Sequence, residues 1–177
     1  VAEFFRQSID EGHEGLMAKE LSADYSPGIR GRKMVKLKET LESLDLIVVA
    51  AEYGHGRKAG WITSFELAAR NEDNEQWVPV GRVSSGASDE QLKELTEEIK
   101  PLIISERGRI VDLEPQVVLE VKFNEIQKSQ NYASGYALRF PRIIRIREDK
   151  GLEDVETLER VESLYRLQFK LKGKPQT

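Results

Sequence analysis

The run Leu44–Ala51 constrains this chain's fold more than any other stretch, because so short an apolar run bounded by turn signals reads as a buried strand. It leads into Gly54-His55-Gly56-Arg57-Lys58-Ala59-Gly60. A glycine-rich loop after a strand invites a dinucleotide-binding reading, but that fingerprint needs a helix to follow. Here Trp61, Thr63 and Phe65 alternate with Ile62, Ser64 and Glu66, the two-residue period of a second strand. The loop is therefore read as a hairpin connection that displays Arg57 and Lys58.

The rest of the chain continues in short pieces. Asn71–Glu75 is a polar turn and Trp77–Val83 another strand. Ser88-Asp89-Glu90-Gln91 matches a capping box, and Leu92, Leu95 and Ile99 form one helical stripe that Pro101 ends. Val117–Phe123 reads as a strand, Gln127–Ser134 as a polar loop, and Tyr136–Lys150 as the last long strand. From Glu153 to Phe169, Leu158, Val161, Leu164, Tyr165 and Gln168 keep helical spacing, with acids near the start and cations near the end. Short strands, glycine-bearing turns and one interposed helix predict a mainly β fold, a small Greek-key barrel of the OB type with a C-terminal packing helix.

Ahead of this barrel, Val1–Asp10 places Phe4, Phe5 and Ile9 on one helical face, with Gly12 as a stop. Glu14–Leu21 reads as a strand and Ser26-Pro27-Gly28 as a turn. With 177 residues the chain holds one domain of ordinary size and a piece of another. Its net charge of −4 makes no case for nucleic-acid binding, so any such case rests on where the cations lie. The absence of cysteine excludes a disulfide framework and thiol metal sites. No apolar run approaches a membrane span and no signal pattern opens the chain, so a soluble protein without a membrane partner is expected.

Two basic clusters stand out. Arg30, Arg32, Lys33, Lys36 and Lys38 surround Met34, Val35 and Leu37. In an extended Val35–Lys38, both lysines project from one face and Val35 and Leu37 turn inward, which makes a site for a phosphate or a protective edge strand. The second cluster is YALRFPRIIRIREDK at Tyr136–Lys150, where Arg139, Arg142, Arg145, Arg147 and Lys150 are set among Phe140, Ile143, Ile144 and Ile146. An extended Ile144–Arg147 sends isoleucines to one face and arginines to the other.

LRFPRIIRIREDK resembles motif VI of ATP-dependent DNA ligases of the archaeal and eukaryotic replicative type. EGLMAK at Glu14–Lys19 resembles motif IV, KLKE at Lys36–Glu39 resembles motif V, and Leu44–Trp61 is similar to the segment that opens the family's OB-fold domain. The order and spacing also fit, over nearly the whole chain. The resemblance implies ATP and Mg2+ as cofactors and nicked duplex DNA as partner. It implies a metal-side carboxylate at Glu14, nucleotide contacts from Arg30, Lys36 and Lys38, and pyrophosphate handling by Arg147, Asp149 and Lys150. It also puts Arg139 and Phe140 in the minor groove beside the nick. From their charge on such a barrel, Arg139, Arg142, Arg57 and Lys58 are the candidates for DNA phosphate contacts. A carboxylate suits magnesium, a hard cation that takes oxygen ligands. Residues 1–40 are then the end of a nucleotidyltransferase domain and 41–177 the OB domain, with a hinge at Glu39–Ser43.

The family's Lys-x-Asp-Gly nucleophile motif does not occur in the chain, so this chain alone is expected not to adenylate itself. A monomer is expected, in the cytoplasm or nucleus, and engagement of a sliding clamp stays open. Two other readings stand beside this one: an RNA ligase or capping-type nucleotidyltransferase, and a non-enzymatic single-strand-binding OB module. His13 and His55 have no partners in sequence for a triad or a zinc cluster.

Overall fold

A computed structural model describes residues 1–11, 13, 15–21, 34–38 and 43–171, with the backbone alone at 34, 36, 38 and 169–171. Glu14, Arg30, the Ser26-Pro27-Gly28 turn and most of the expected hinge lie outside the described residues.

Helix α1 (Ala2–Asp10) and an antiparallel pair, β1 (Gly15–Lys19) with β2 (Met34–Lys38), open the chain. Phe4 is 64% exposed, while Phe5 and Ile9 on the same helical face are half-buried. Val35, expected to face inward, is half exposed, so this pair buries little by itself.

The barrel is organised on β3 (Leu44–Tyr53), buried along most of its length as its composition requires. One edge of β3 pairs with β4 (Ile62–Arg70), which pairs in turn with β5 (Trp77–Val83). After β5 come α2 (Asp89–Ile99), the hairpin β6 (Ile103–Arg107) and β7 (Ile110–Leu113), and then β8 (Val118–Lys122). The other edge of β3 is shared, by β8 along Leu44–Ile47 and by β7 along Ala50–Glu52. The β6–β7 hairpin has no counterpart in the expected elements, because its exposed Ser105, Glu106 and Arg107 mask the strand pattern.

Bulges bend these strands into a barrel, since one extra residue on a strand sharpens its local twist. Thr63 is the extra residue on β4, where Tyr53 faces Ile62 and Glu52 faces Ser64. The expected strict alternation therefore breaks, and both Ile62 and Phe65 are buried. The Ile62 amide beside this bulge donates to Thr96 Oγ1 at 2.9 Å, and Thr96 donates to the Leu92 carbonyl at 2.6 Å. This couple fixes α2 to the barrel. Ser88 and Gln91 form the capping box as read, at 2.9 and 3.2 Å.

Tyr136–Lys150 is not one strand. It divides into β10 (Tyr136–Arg139), paired with β9 (Glu125–Lys128), and β11 (Arg142–Ile146), paired with β8. Phe140 stands at the break with φ 52°, and Pro141 cannot continue a ladder. The first part of the expected Gln127–Ser134 loop belongs to β9. Ile144 is the bulged residue of β11, so Ile143 is buried and Ile144 half exposed, against the expected single isoleucine face. The Ile143 amide donates to the Ser85 carbonyl at 2.8 Å and closes the barrel. Gly86 (φ +106°) permits that approach, because any Cβ there would overlap the Ile143 backbone.

The last helix, α3 (Leu158–Leu171), starts later than its expected Glu153. Residues 155–157 instead run extended beside β3 and β4, where Glu156 N–H donates to the Asp45 carbonyl and Arg70 N–H to the Glu156 carbonyl. Thr157 then caps the helix through the Arg160 amide. Gln168, buried, joins α3 to β9 by accepting from Ile126 N–H at 3.0 Å and donating to the Ile126 carbonyl at 2.6 Å. Among the described residues no helix is long and apolar enough to cross a membrane.

Candidate nucleic-acid and nucleotide site

The break between β10 and β11 builds the first half of the site. Phe140 is 62% exposed, so its ring is not part of the core. The Arg139 guanidinium lies 5.0 Å from the ring centroid and also pairs with Glu125 at 3.1 Å. Arg142 is exposed and has no ion-pair partner among the described residues. An exposed aromatic held in a left-handed backbone between two arginines is costly for folding and suited to insertion between bases.

Arg57 and Lys58 sit on a 3-10 turn, Gly56–Lys58, between β3 and β4, which confirms a hairpin connection rather than a strand-to-helix nucleotide loop. Lys58 pairs with Asp89 at the start of α2 at 2.6 Å, and that hydrogen bond holds the Asp89 carboxyl below its usual range. Lys58 and Lys93 both approach the Trp61 ring, at 5.9 and 4.9 Å. Arg57 is left exposed beside them. The guanidinium of Arg109 abuts His55, and it also bonds Glu52 at 2.8 Å. Arg82 bridges Glu52 and Glu66 at 3.2 and 3.6 Å, so the outer face of β3, β4 and β5 is neutralised internally.

The second half of the site follows β11. Arg147 Nη1 donates to both Asp45 oxygens, at 3.0 and 2.9 Å, while its Nε and Nη2 hold the Asp149 carboxylate at 2.9 and 2.8 Å. Lys150 Nζ reaches the same Asp45 carboxylate at 2.8 Å. Glu120 accepts from Ser43 and from Arg145, each at 2.7 Å, and lies 4.0 Å from Arg147. The Arg147 bond drives Asp149 far below the usual carboxylate range, and the Asp45 bond pushes Lys150 upward. Ser43 and Arg145 likewise lower Glu120.

Sequence reasoning brought Arg147, Asp149 and Lys150 forward but passed over Asp45 and Glu120. The available signal was an acid in an apolar strand, since a buried carboxylate needs a cationic partner. Of the phosphate candidates in the N-terminal part, Lys36 and Lys38 share one face of β2 by strand period, and their side chains are outside the described residues, as are Glu14 and Arg30. Among the described residues no three acidic, histidine or cysteine side chains group to hold a metal.

Comparisons with known proteins give the family. Residues 58–150 match the family model "ATP dependent DNA ligase C terminal region", and residues 1–38 match "ATP dependent DNA ligase domain". The chain belongs to the ATP-dependent DNA ligase family. A DNA ligase of Methanocella arvoryzae is 58% identical over 94% of this chain, and one of Thermococcus fumicolans is 51% identical over 97%. The chain spans 29% and 31% of those two relatives' lengths. Among solved structures, the ligase domain of M. tuberculosis LigD aligns with a TM-score of 0.54 and 25% identity, over 87% of this chain and 50% of that one. As a ligase segment, the chain combines an OB-type barrel with a two-part motif VI, one part open to solvent and the other in an internal ion cluster.

Proposed function

We propose that this chain is the C-terminal portion of an enzyme that seals nicks in duplex DNA, joining a 3′-hydroxyl to a 5′-phosphate through enzyme-AMP and DNA-AMP intermediates. Residues 1–40 close the nucleotidyltransferase domain, 41–177 form the OB-fold domain, and Glu39–Ser43 is the hinge between them. In the first step a lysine nitrogen, supplied by the rest of the enzyme, attacks the α-phosphate of ATP. A P–N bond forms, the P–O bond to pyrophosphate breaks, and the lysine loses its proton. Arg30, Lys36 and Lys38 serve the nucleotide, and Lys150 and Arg147, the latter oriented by Asp149, serve the departing pyrophosphate. Such transfers are catalysed mainly by positioning and charge stabilisation, which is what fixed cations supply. Glu14 would hold magnesium, whose charge helps neutralise the phosphates.

The observation that carries the DNA reading is Phe140, an exposed ring on a left-handed residue with Arg139 and Arg142 beside it. A wedge of this kind suits a bent duplex at a nick. The single-strand module is less well supported, because OB barrels usually meet oligonucleotides on the face of strands 2 and 3, and here Glu52, Glu66, Arg82 and Arg109 neutralise one another there.

The test is binding of nicked, intact and single-stranded DNA at two salt concentrations. Nicked duplex binds best, and if Arg57, Lys58, Arg139 and Arg142 each neutralise one phosphate, log K falls by about 3.6 per log unit of salt. Preference for single strands would refute the reading.

A further inference from the structure

Asp45 is the acid on which both cations at the end of motif VI converge. It is only 8% exposed although it sits at the start of the long barrel strand. Its backbone is fixed on two sides, by register with Glu120 on β8 and by the Glu156 amide, so its carboxylate alone is free to change partners. That carboxylate gives both oxygens to Arg147 and one of them also to Lys150. Arg147 is further closed by Asp149, leaving its side chain 12% exposed, while Lys150 remains 27% exposed with two protons of its ammonium not used by Asp45.

Arg145, Arg147 and Lys150 balance Asp45, Glu120 and Asp149, so this cluster is neutral overall. A polyphosphate arriving at it gains little, because each phosphate oxygen has to compete with an acid already in place, and an acid left without its cations in a dry site is unfavourable. Asp45 therefore occupies the position that phosphate oxygens would take. It is also two residues beyond Ser43, whose hydroxyl ties the end of the proposed hinge to Glu120 in the same cluster.

We propose that Asp45 is a positioning residue: it is the internal counter-ion that holds Arg147 and Lys150 while the barrel faces DNA and yields them to the triphosphate for lysine adenylation. This rests on the reading that motif VI handles pyrophosphate. The counter-ion sets a threshold on ATP capture, and it keeps motif VI out of the way while the nick is sealed.

The test uses the full-length ligase with Asp45→Asn, which keeps the shape and removes the charge. Two half-reactions are measured: lysine adenylation against ATP concentration, and sealing of a nick that is already adenylated. Asp45→Asn lowers the KM for ATP several-fold, makes inorganic pyrophosphate a stronger inhibitor, and slows sealing of the adenylated nick. General damage to the fold would harm both half-reactions, so opposite changes are the signature. Glu120→Gln removes a charge 4.0 Å from Arg147 without touching Asp45 and shifts KM in the same direction by less, which keeps the test open if Asp45→Asn fails to fold. An unchanged or raised KM in a variant that melts like the parent overturns the counter-ion role. Lys150→Ala separates the two levels: if it impairs adenylation while Asp45→Asn leaves KM alone, only this inference falls. If Lys150→Ala leaves adenylation untouched, the pyrophosphate reading falls with it.

Discussion

Replacing Phe140 by glycine should separate stability from DNA binding, and the structure fixes the expected size of each effect. Phe140 adopts φ 52°, a left-handed conformation that costs an L-residue about 1–2 kcal/mol and glycine almost nothing. Its ring is 62% exposed, so on the order of 75 Å² of a roughly 200 Å² side chain is hidden, contributing about 2 kcal/mol. Added backbone freedom of glycine in the unfolded chain removes about 0.5–1 kcal/mol. These terms offset one another in part, and Phe140→Gly should cost about 0.5–2 kcal/mol of folding stability. The fully buried Phe65 gives the contrast, since Phe65→Ala should cost about 3–5 kcal/mol. Affinity for nicked duplex should behave oppositely: loss of an aromatic contact worth about 1–3 kcal/mol weakens binding roughly 5- to 150-fold. Urea denaturation measures the first quantity and fluorescence anisotropy with a labelled nicked duplex, at fixed salt, the second. A loss of about 3 kcal/mol in stability would show the ring to be structural. Unchanged affinity would remove Phe140 from the DNA contact.

Gln168→Leu keeps the bulk of the side chain but leaves the Ile126 N–H and carbonyl without their partner, and should cost about 2–4 kcal/mol in denaturant unfolding. Stability should also fall at both ends of the pH range. Lys150 is raised in the folded state, so its contribution is complete below its ordinary value of 10.5 and is lost as pH rises above it. Glu120 is lowered, so its contribution is complete above its ordinary value of 4.5 and is lost as pH falls below it. Thermal melts across pH check both arms, and Glu120→Gln should flatten the acid arm. A melt curve unchanged by that substitution would show that Glu120 does not couple to folding.

Much of the architecture was legible because it depends on local periodicity. The capping box at Ser88, the stripe Leu92, Leu95 and Ile99, and the apolar run from Leu44 each satisfy their own rule without reference to distant residues. The same is true of Arg57 and Lys58, since a glycine-rich loop followed by alternation can hardly form anything but a hairpin. Tyr136–Lys150 reads as a single strand by its pattern but folds as two. Arg139-Phe140-Pro141 looks extended in isolation, but β10 and β11 take different partners, and the chain must turn at Phe140 to reach both.

By itself the sequence determined β3, β4 and β5, the capped helix α2 and the ligase motifs, because each is carried by neighbours a few positions apart. Only the tertiary structure decided which face each cation serves. A bulge at Ile144 shifts the side-chain alternation by one residue, so that Ile146 follows Ile143 against the core while Arg145 and Arg147 lie on the other face, where Arg147 meets Asp45, 102 positions away. Strand period cannot foresee a bulge, and an ion pair across such a distance exists only once β3, β8 and β11 are laid side by side.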